Sequence, residues 1–215
     1  MTVRVLRAAD REAVAWKNGG GVTREIAASP EGAGMAGFDW RISLAEVEAD
    51  GPFSAFPEVD RILTMAEGAG MDLVVGGERR LVAQCFVPQD FPGDVVTDCR
   101  LLGGRVVNFN VMHRRGRTTA RVAVVRGGLD VALPPNGTVV IVALDGTASF
   151  DGITLAPYDA VVTGSPGALS AQGHAAVVTL TPTLTSTSTS TSTSTSTSTS
   201  TSTSTSTSTL PLTTG

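Results

Sequence analysis

A chain of 215 residues, 41% hydrophobic and 17% charged, has the length for one good-sized domain or two small ones packed together. Its net charge of −4 leaves no global positive field for nucleic acid or an anionic membrane. No run of about 18 apolar residues is present to span a bilayer as a helix, and two cysteines, Cys85 and Cys99, are too few for a disulfide framework and read as free thiols.

The opening stretch, MTVRVLRAADREAVAW, breaks its apolar residues with Arg4, Arg7, Asp10, Arg11 and Glu12, so no signal peptide is expected and the expected location is cytoplasmic. WKNGGGVTREI follows, from Trp16 to Ile26. Neither the Walker spacing nor the dinucleotide GxGxxG spacing is present. After the glycines, Val22, Arg24 and Ile26 alternate against Thr23, Glu25 and Ala27, which predicts a half-buried strand. Asn18-Gly19 signals a tight turn, because both residues tolerate positive φ. Three glycines exceed what a turn needs. Gly19, Gly20 and Gly21 therefore read either as a turn alone or as a bare backbone wall whose N–H groups meet an anion.

WRISLA alternates Trp40, Ile42 and Leu44 against Arg41, Ser43 and Ala45, predicting a strand, although ISLAEVEAD (42–50) has some helical character. If Trp40, Ile42 and Leu44 face a packed layer, Arg41 and Ser43 face the other side, a barrel lumen. Short strands are predicted at 61–65, 71–75 and 79–83, separated by EGAG and GGE. In NVM, Asn110 and Met112 point to one side and Val111 to the other. HRRGR (113–117), with Arg121, reads as a solvated loop rather than a nucleic-acid patch, since no aromatics are interleaved. Further strand-like runs at 138–146, 147–155, 159–164 and 174–180 are punctuated by Asp-Gly, Pro and Gly turns. No helix recurs between strands. The pattern predicts an all-β fold, sandwich or barrel, with two halves of similar texture suggesting two packed barrels. Charged residues stop before residue 183, and Thr185–Ser208 is a Thr-Ser repeat with no face to bury. The expected organisation is a globular region 1–182 and a disordered tail 183–215, with a glycosylated stalk as the alternative for the tail.

Candidate site residues are chosen by side-chain chemistry in and around these stretches. Arg41 offers a planar two-pronged donor for a carboxylate, or is simply exposed or paired. Arg61 either pairs locally with Glu58 or Asp60 or reaches the same pocket. Thr23 and Glu25 share a strand face. Glu25 can hold an arginine, take a proton from a ligand amide, or sit in solvent. Asn110 supplies both donor and acceptor for an amide or formyl group. Trp16 and Trp40 read as core residues or as apolar pocket walls. His113 and His174 are the only histidines, and neither is in an HxH pair, so no metal and no cofactor are expected. No Gly-x-Ser-x-Gly elbow is present.

Four blocks in order carry a resemblance: WKNGGGVTREIA, FDWRISLAEVEADGPFSAFPEVDRILTMAEG, FPGDVVTDCRLLGG and FNVMHRRGR. Over roughly residues 3–180 the chain resembles the HutD/Ves family. The resemblance implies a bicupin fold of two packed small β-barrels. It also implies a non-catalytic accessory protein of bacterial histidine utilisation, which binds a small metabolite such as formylglutamate and moderates the pathway. Two departures stand out: the Thr-Ser tail, and Asn108-Phe109 where the family usually has Asp-Leu. The leading expectation is recognition of a small anionic, amide-containing metabolite by Asn18, the glycine backbone, Arg41, Arg61 and Asn110, with Thr23, Glu25, Trp40, Ser43 and Met112 around it. The alternatives are a metal-free cupin isomerase or hydrolase using Glu25 as base, and a purely structural scaffold. Beyond the metabolite, the expected partner is at most a second copy in a homodimer, with no nucleic acid and no membrane.

Overall fold

Period-two alternation sorts the apolar residues of this chain onto the two faces of its strands, and three layers of sheet result. The computed structural model describes residues 3–183. In chain order the strands are β1 (Arg4–Leu6), β2 (Val14–Ala15), β3 (Gly21–Ser29), β4 (Trp40–Val47), β5 (Gly51–Pro52), β6 (Val59–Glu67), β7 (Met71–Val75), β8 (Glu78–Val82) and β9 (Gln89–Pro92). They continue as β10 (Thr97–Leu101), β11 (Val106–Arg114), β12 (Thr118–Val131), β13 (Thr138–Ala143), β14 (Ala148–Phe150), β15 (Ile153–Leu155), β16 (Ala160–Thr163) and β17 (Gly167–Pro182).

A six-stranded sheet, ordered β2-β3-β4-β11-β6-β9, faces a four-stranded sheet, β5-β10-β7-β8, to form the first barrel. Its apolar filling is Leu63, Met65, Met71, Leu73, Val75, Phe91 and Val106 with their neighbours. The second barrel is the curled seven-stranded sheet, β1-β16-β13-β17-β14-β15 with β12 against β17. Val139, Ile141, Phe150, Leu155, Val161 and Leu169 fill it. Between the barrels lies a third core, with Ile42, Leu44, Phe109 and Val111 from one side and Val140, Val142, Val178 and Leu180 from the other. The fold is all-β, a bicupin of two packed jelly-roll-type barrels.

The continuous apolar run of β13 follows from this layering. Val139 and Ile141 point into the second barrel while Val140 and Val142 point at the first, so both faces are buried. Phe109 on β11 is fully buried in the same middle layer, worth about 1.5–3 kcal/mol relative to exposure.

Several expectations shift. The helical character of 42–50 gives way to strand through Val47, because burial of alternate residues decides the segment. The run 147–155 is a hairpin, turning at Asp151 (φ 45) and Gly152 (φ 80), both left-handed as a tight turn requires. β12 is not anticipated by the sequence reading; Arg121, Arg126 and Gly127-Gly128 interrupt its alternation, and its pairing along β17 holds it extended. The tail expectation falls almost wholly outside the described residues.

Candidate functional site

The six-stranded sheet turns its second face into the first barrel, and register fixes which side chains share that face. Three rows cross it. Thr23, Ala45, Asn108 and Met65 are successive partners in one row, and Glu25, Ser43, Asn110 and Leu63 in the next. Arg41, Met112 and Arg61 form the third. Arg41 and Arg61 thus lie two strands apart, about 10 Å between backbones at ordinary strand spacing.

Apart from Met65 and Leu63, which belong to the barrel's apolar filling, these residues floor a cavity of about 710 Å³, within the range of small-molecule sites. Trp16, Lys17 and Asn18 wall it from the β2–β3 hairpin; Gly34 and Met35 reach in from the β3–β4 loop; Phe53, Ser54 and Phe56 come from the segment before β6. Lys17, Arg41 and Arg61 are the cations of the lining and Glu25 its carboxylate, so the site is net positive inside an acidic protein.

Arg61 is the dominant feature. It is only 8% exposed. Its Nη2 donates to Asn110 Oδ1 at 3.2 Å, and its guanidinium lies 5.0, 5.3 and 5.9 Å from the ring centres of Phe53, Phe91 and Phe56. Its Nε has no hydrogen-bond partner, and among the described residues no carboxylate pairs with it. Burial pushes its pKa down to about 10, so it remains a cation at neutral pH. Asn108 Oδ1 is a second buried atom without a partner, while its Nδ2 meets Met71 Sδ at 3.3 Å.

Arg41 is held differently. Its Nε donates to Glu25 Oε2 at 2.6 Å, with side-chain exposures of 13% and 39%. Trp16 Nε1 donates to Thr23 Oγ1 at 2.7 Å, which fixes the indole as a wall. Asn18 Oδ1 accepts from Gly20 N–H at 3.1 Å and caps the hairpin turn.

The structure therefore brings together Asn18, Thr23, Glu25, Arg41, Ser43, Arg61, Asn110 and Met112 around one cavity. Four expected residues lie elsewhere. Trp40 packs against the middle core, as it must if Arg41 faces the lumen, because adjacent strand residues point to opposite faces. Gly19, Gly20 and Gly21 are not in the lining. Gly19 takes the left-handed turn position, φ 70. Gly20 O accepts from Glu48 N–H at 2.9 Å. Gly21 is required by packing, since a β-carbon there would run into the Glu46 carbonyl oxygen. Sequence reasoning missed Lys17, Met35, Phe53, Phe56 and Asn108. Asn108 was within reach, since it sits two residues from Asn110 on the same face; the loop residues have no periodicity to reveal them.

The cavity's donor set does not suit a metal. It contains no histidine, its carboxylate is tied to Arg41, and among the described residues no three His, Cys, Asp or Glu side chains converge. The lumen is also neither closed nor apolar, as a scaffold role would favour: Met35 is 46% exposed at its rim.

A family model described as HutD matches residues 8–180. A protein of Pseudomonas putida described as an uncharacterized 21.2 kDa protein in the hutC 3' region is 40% identical over 120 residues, 56% of this chain and 63% of that protein. Protein Ves of Cronobacter sakazakii is 37% identical over 110 residues, 51% of this chain and 59% of its own length. The matched segment thus spans less than two thirds of either relative. The solved structure of HutD from Pseudomonas fluorescens SBW25, in a formate condition, is similar over 84% of this chain and 99% of that one, at 32% identity and a TM-score of 0.77.

Proposed function

The chain belongs to the HutD family, and on that premise we propose that its first barrel binds a small anionic metabolite without breaking a bond in it. The observation that carries the reading is Arg61: a buried guanidinium lining a net-positive cavity, with no carboxylate partner among the described residues. A buried charge is costly unless paired, and a ligand carboxylate supplies the partner. The row Arg41–Met112–Arg61 sets a second guanidinium across the cavity, which suits a ligand with an anionic group at each end. Asn110, already bonded to Arg61, and Asn108 provide amide groups between them. A formylated dicarboxylic amino acid such as formylglutamate has this chemistry. The histidine-utilisation link of the family, with a relative placed in a hutC region, makes it the first ligand to try, in the cytoplasm, as a moderator of the pathway.

Catalysis by Glu25 as general base is the weaker reading, because its carboxylate accepts from Arg41 at 2.6 Å and serves to hold that arginine. Thermal-shift measurements with N-formyl-L-glutamate, L-glutamate, formate and a neutral amide decide the matter. A ligand at 100 times its Kd stabilises by about 2.7 kcal/mol, about 5–10 °C for a domain of this size. A formylglutamate shift that exceeds the others supports the reading. Equal shifts with the neutral amide, or none with any anion, would sink it. Turnover of the ligand by NMR would make the protein an enzyme.

A further inference from the structure

The basic run HRRGR is a solvated turn only over residues 115–117. His113 and Arg114 are the last residues of β11. Arg115 is ion-paired with Asp94, and Arg117 with Asp39 at 3.0 Å. Arg114 also lies 3.7 Å from the Glu58 carboxylate, but its hydrogen bonds go to backbone. Its Nε donates to Phe38 O at 3.2 Å and its Nη2 to Ala36 O at 3.0 Å, while its Nη1 donates to Pro57 O at 3.4 Å. The guanidinium lies 5.6 Å from the Phe38 ring centre, and the side chain is 14% exposed.

Those carbonyls belong to two loops far apart in sequence, and both loops form the cavity mouth. Ala36 directly follows Met35, and Pro57 directly follows Phe56; Met35 and Phe56 line the cavity. Beneath the guanidinium, Phe38, Val59 and Met112 form a small core against which Ala33 and Phe56 pack. Glu58, next to Pro57, is held at φ 61, a left-handed position that a non-glycine residue keeps only when its surroundings enforce it. Phe56 also lies against Arg61, so the rim is mechanically continuous with the buried cation.

We propose that Arg114 is a positioning residue that ties the two mouth loops into a single rim, so that access to the cavity depends on one guanidinium. Its planar fork spans three carbonyls at once, which a lysine ammonium on a flexible stem does not. The proposal assigns a gating role on the reading of this cavity as the binding site, but its test needs no ligand. In a Trp40→Phe background, Trp16 is the only indole and reports on the cavity wall. Arg114→Gln and Arg114→Lys are compared with the parent by acrylamide quenching and by hydrogen exchange. The expected result is about tenfold faster exchange in residues 31–38 and 53–58 together, as loss of charge-assisted hydrogen bonds implies. Trp16 quenching rises in parallel, and exchange in β6 and the body of β11 stays unchanged. The milder Lys variant shows the same pattern and keeps the test decisive should Gln not fold. Loosening of one loop only, faster exchange throughout the barrel, or full rescue by Lys would overturn the proposal. An Arg61 variant that keeps its rim but fails to bind, or a parent that binds no anion, bears on the ligand reading and not on this one.

Discussion

Replacing Arg61 by methionine separates a binding arginine from a structural one. Methionine matches the aliphatic stem of the arginine but ends short of the guanidinium, so it gives up the charge, the Asn110 bond and the guanidinium's contacts with Phe53, Phe56 and Phe91. Burial pushes the guanidinium down to about 10, which corresponds to about 3 kcal/mol of disfavoured charge. Opposing it are the Asn110 hydrogen bond, worth about 1–2 kcal/mol, and three ring contacts of about 0.5–1 kcal/mol each. These nearly cancel, so Arg61→Met is expected to change stability by no more than about 1 kcal/mol, about 2–4 °C in Tm. Half of a buried ion pair would behave otherwise, with a loss of about 3–5 kcal/mol on removal of one partner. Affinity for the best anion of the thermal-shift series should meanwhile fall at least tenfold, since charge-assisted bonds contribute about 1.5–3 kcal/mol. The sign of the pH effect follows. The folded-state pKa lies below the unfolded one, so the penalty is complete at neutral pH and is relieved as pH rises through about 10. Wild-type stability should therefore gain on the variant above that pH. Urea midpoints and calorimetric titration provide the measurements. A stability loss beyond about 3 kcal/mol, or unchanged affinity, refutes the argument.

Gly21→Ala should destabilise by about 1–3 kcal/mol or more through its clash with the Glu46 carbonyl, whereas Gly20→Ala, whose new methyl meets the Asn18 side chain at 3.4 Å and beyond, should be neutral or stabilise by about 0.4–1 kcal/mol; equal losses in urea unfolding would contradict the packing account. Asp159 is 5% exposed and accepts from Ala8 N–H at 2.7 Å, Ala156 N–H at 3.1 Å and Arg7 Nη1 at 2.7 Å. Burial alone would raise its pKa, but these donors together hold it below the usual carboxylate value. Its contribution is thus complete above the unfolded value near 4 and is lost as pH falls through the lower folded one. Asp159→Asn should cost about 2 kcal/mol at pH 7, with Arg7 adding little because it is half exposed, and the difference from wild type should shrink on acidification to pH 3.

Much of this site is legible where a strand passes through it. WRISLA alone separates Arg41 and Ser43 from Ile42 and Leu44, and NVM separates Asn110 and Met112 from Val111, because a two-residue period is a local property. The same rule shows that Trp40 and Arg41 cannot both face a ligand. What sequence conceals is long-range approach. The need for glycine at 21 arises from Glu46, on the neighbouring strand across a loop. Phe53, Phe56 and Met35 come from irregular segments whose direction is set by closure of the barrel. Arg114 looks like surface charge until the loops carrying Ala36 and Pro57 are folded over it.

β11 sends Val107, Phe109 and Val111 into the core between the barrels and Asn108, Asn110 and Met112 into the cavity. The core between the barrels and the lining of the cavity are thereby written on alternate letters of one segment. If the cavity is the binding site proposed above, a combinatorial library confined to 108 and 110, with 41 and 43 on β4, would vary its lining while the first set continues to bond the barrels; Met112 is held back, because it also belongs to the small core beneath the rim. An insertion or deletion of one residue in β11 has no such freedom: it exchanges the two sets, placing amides between the barrels and valines in the cavity, and removes the architecture and the cavity's chemistry in a single event.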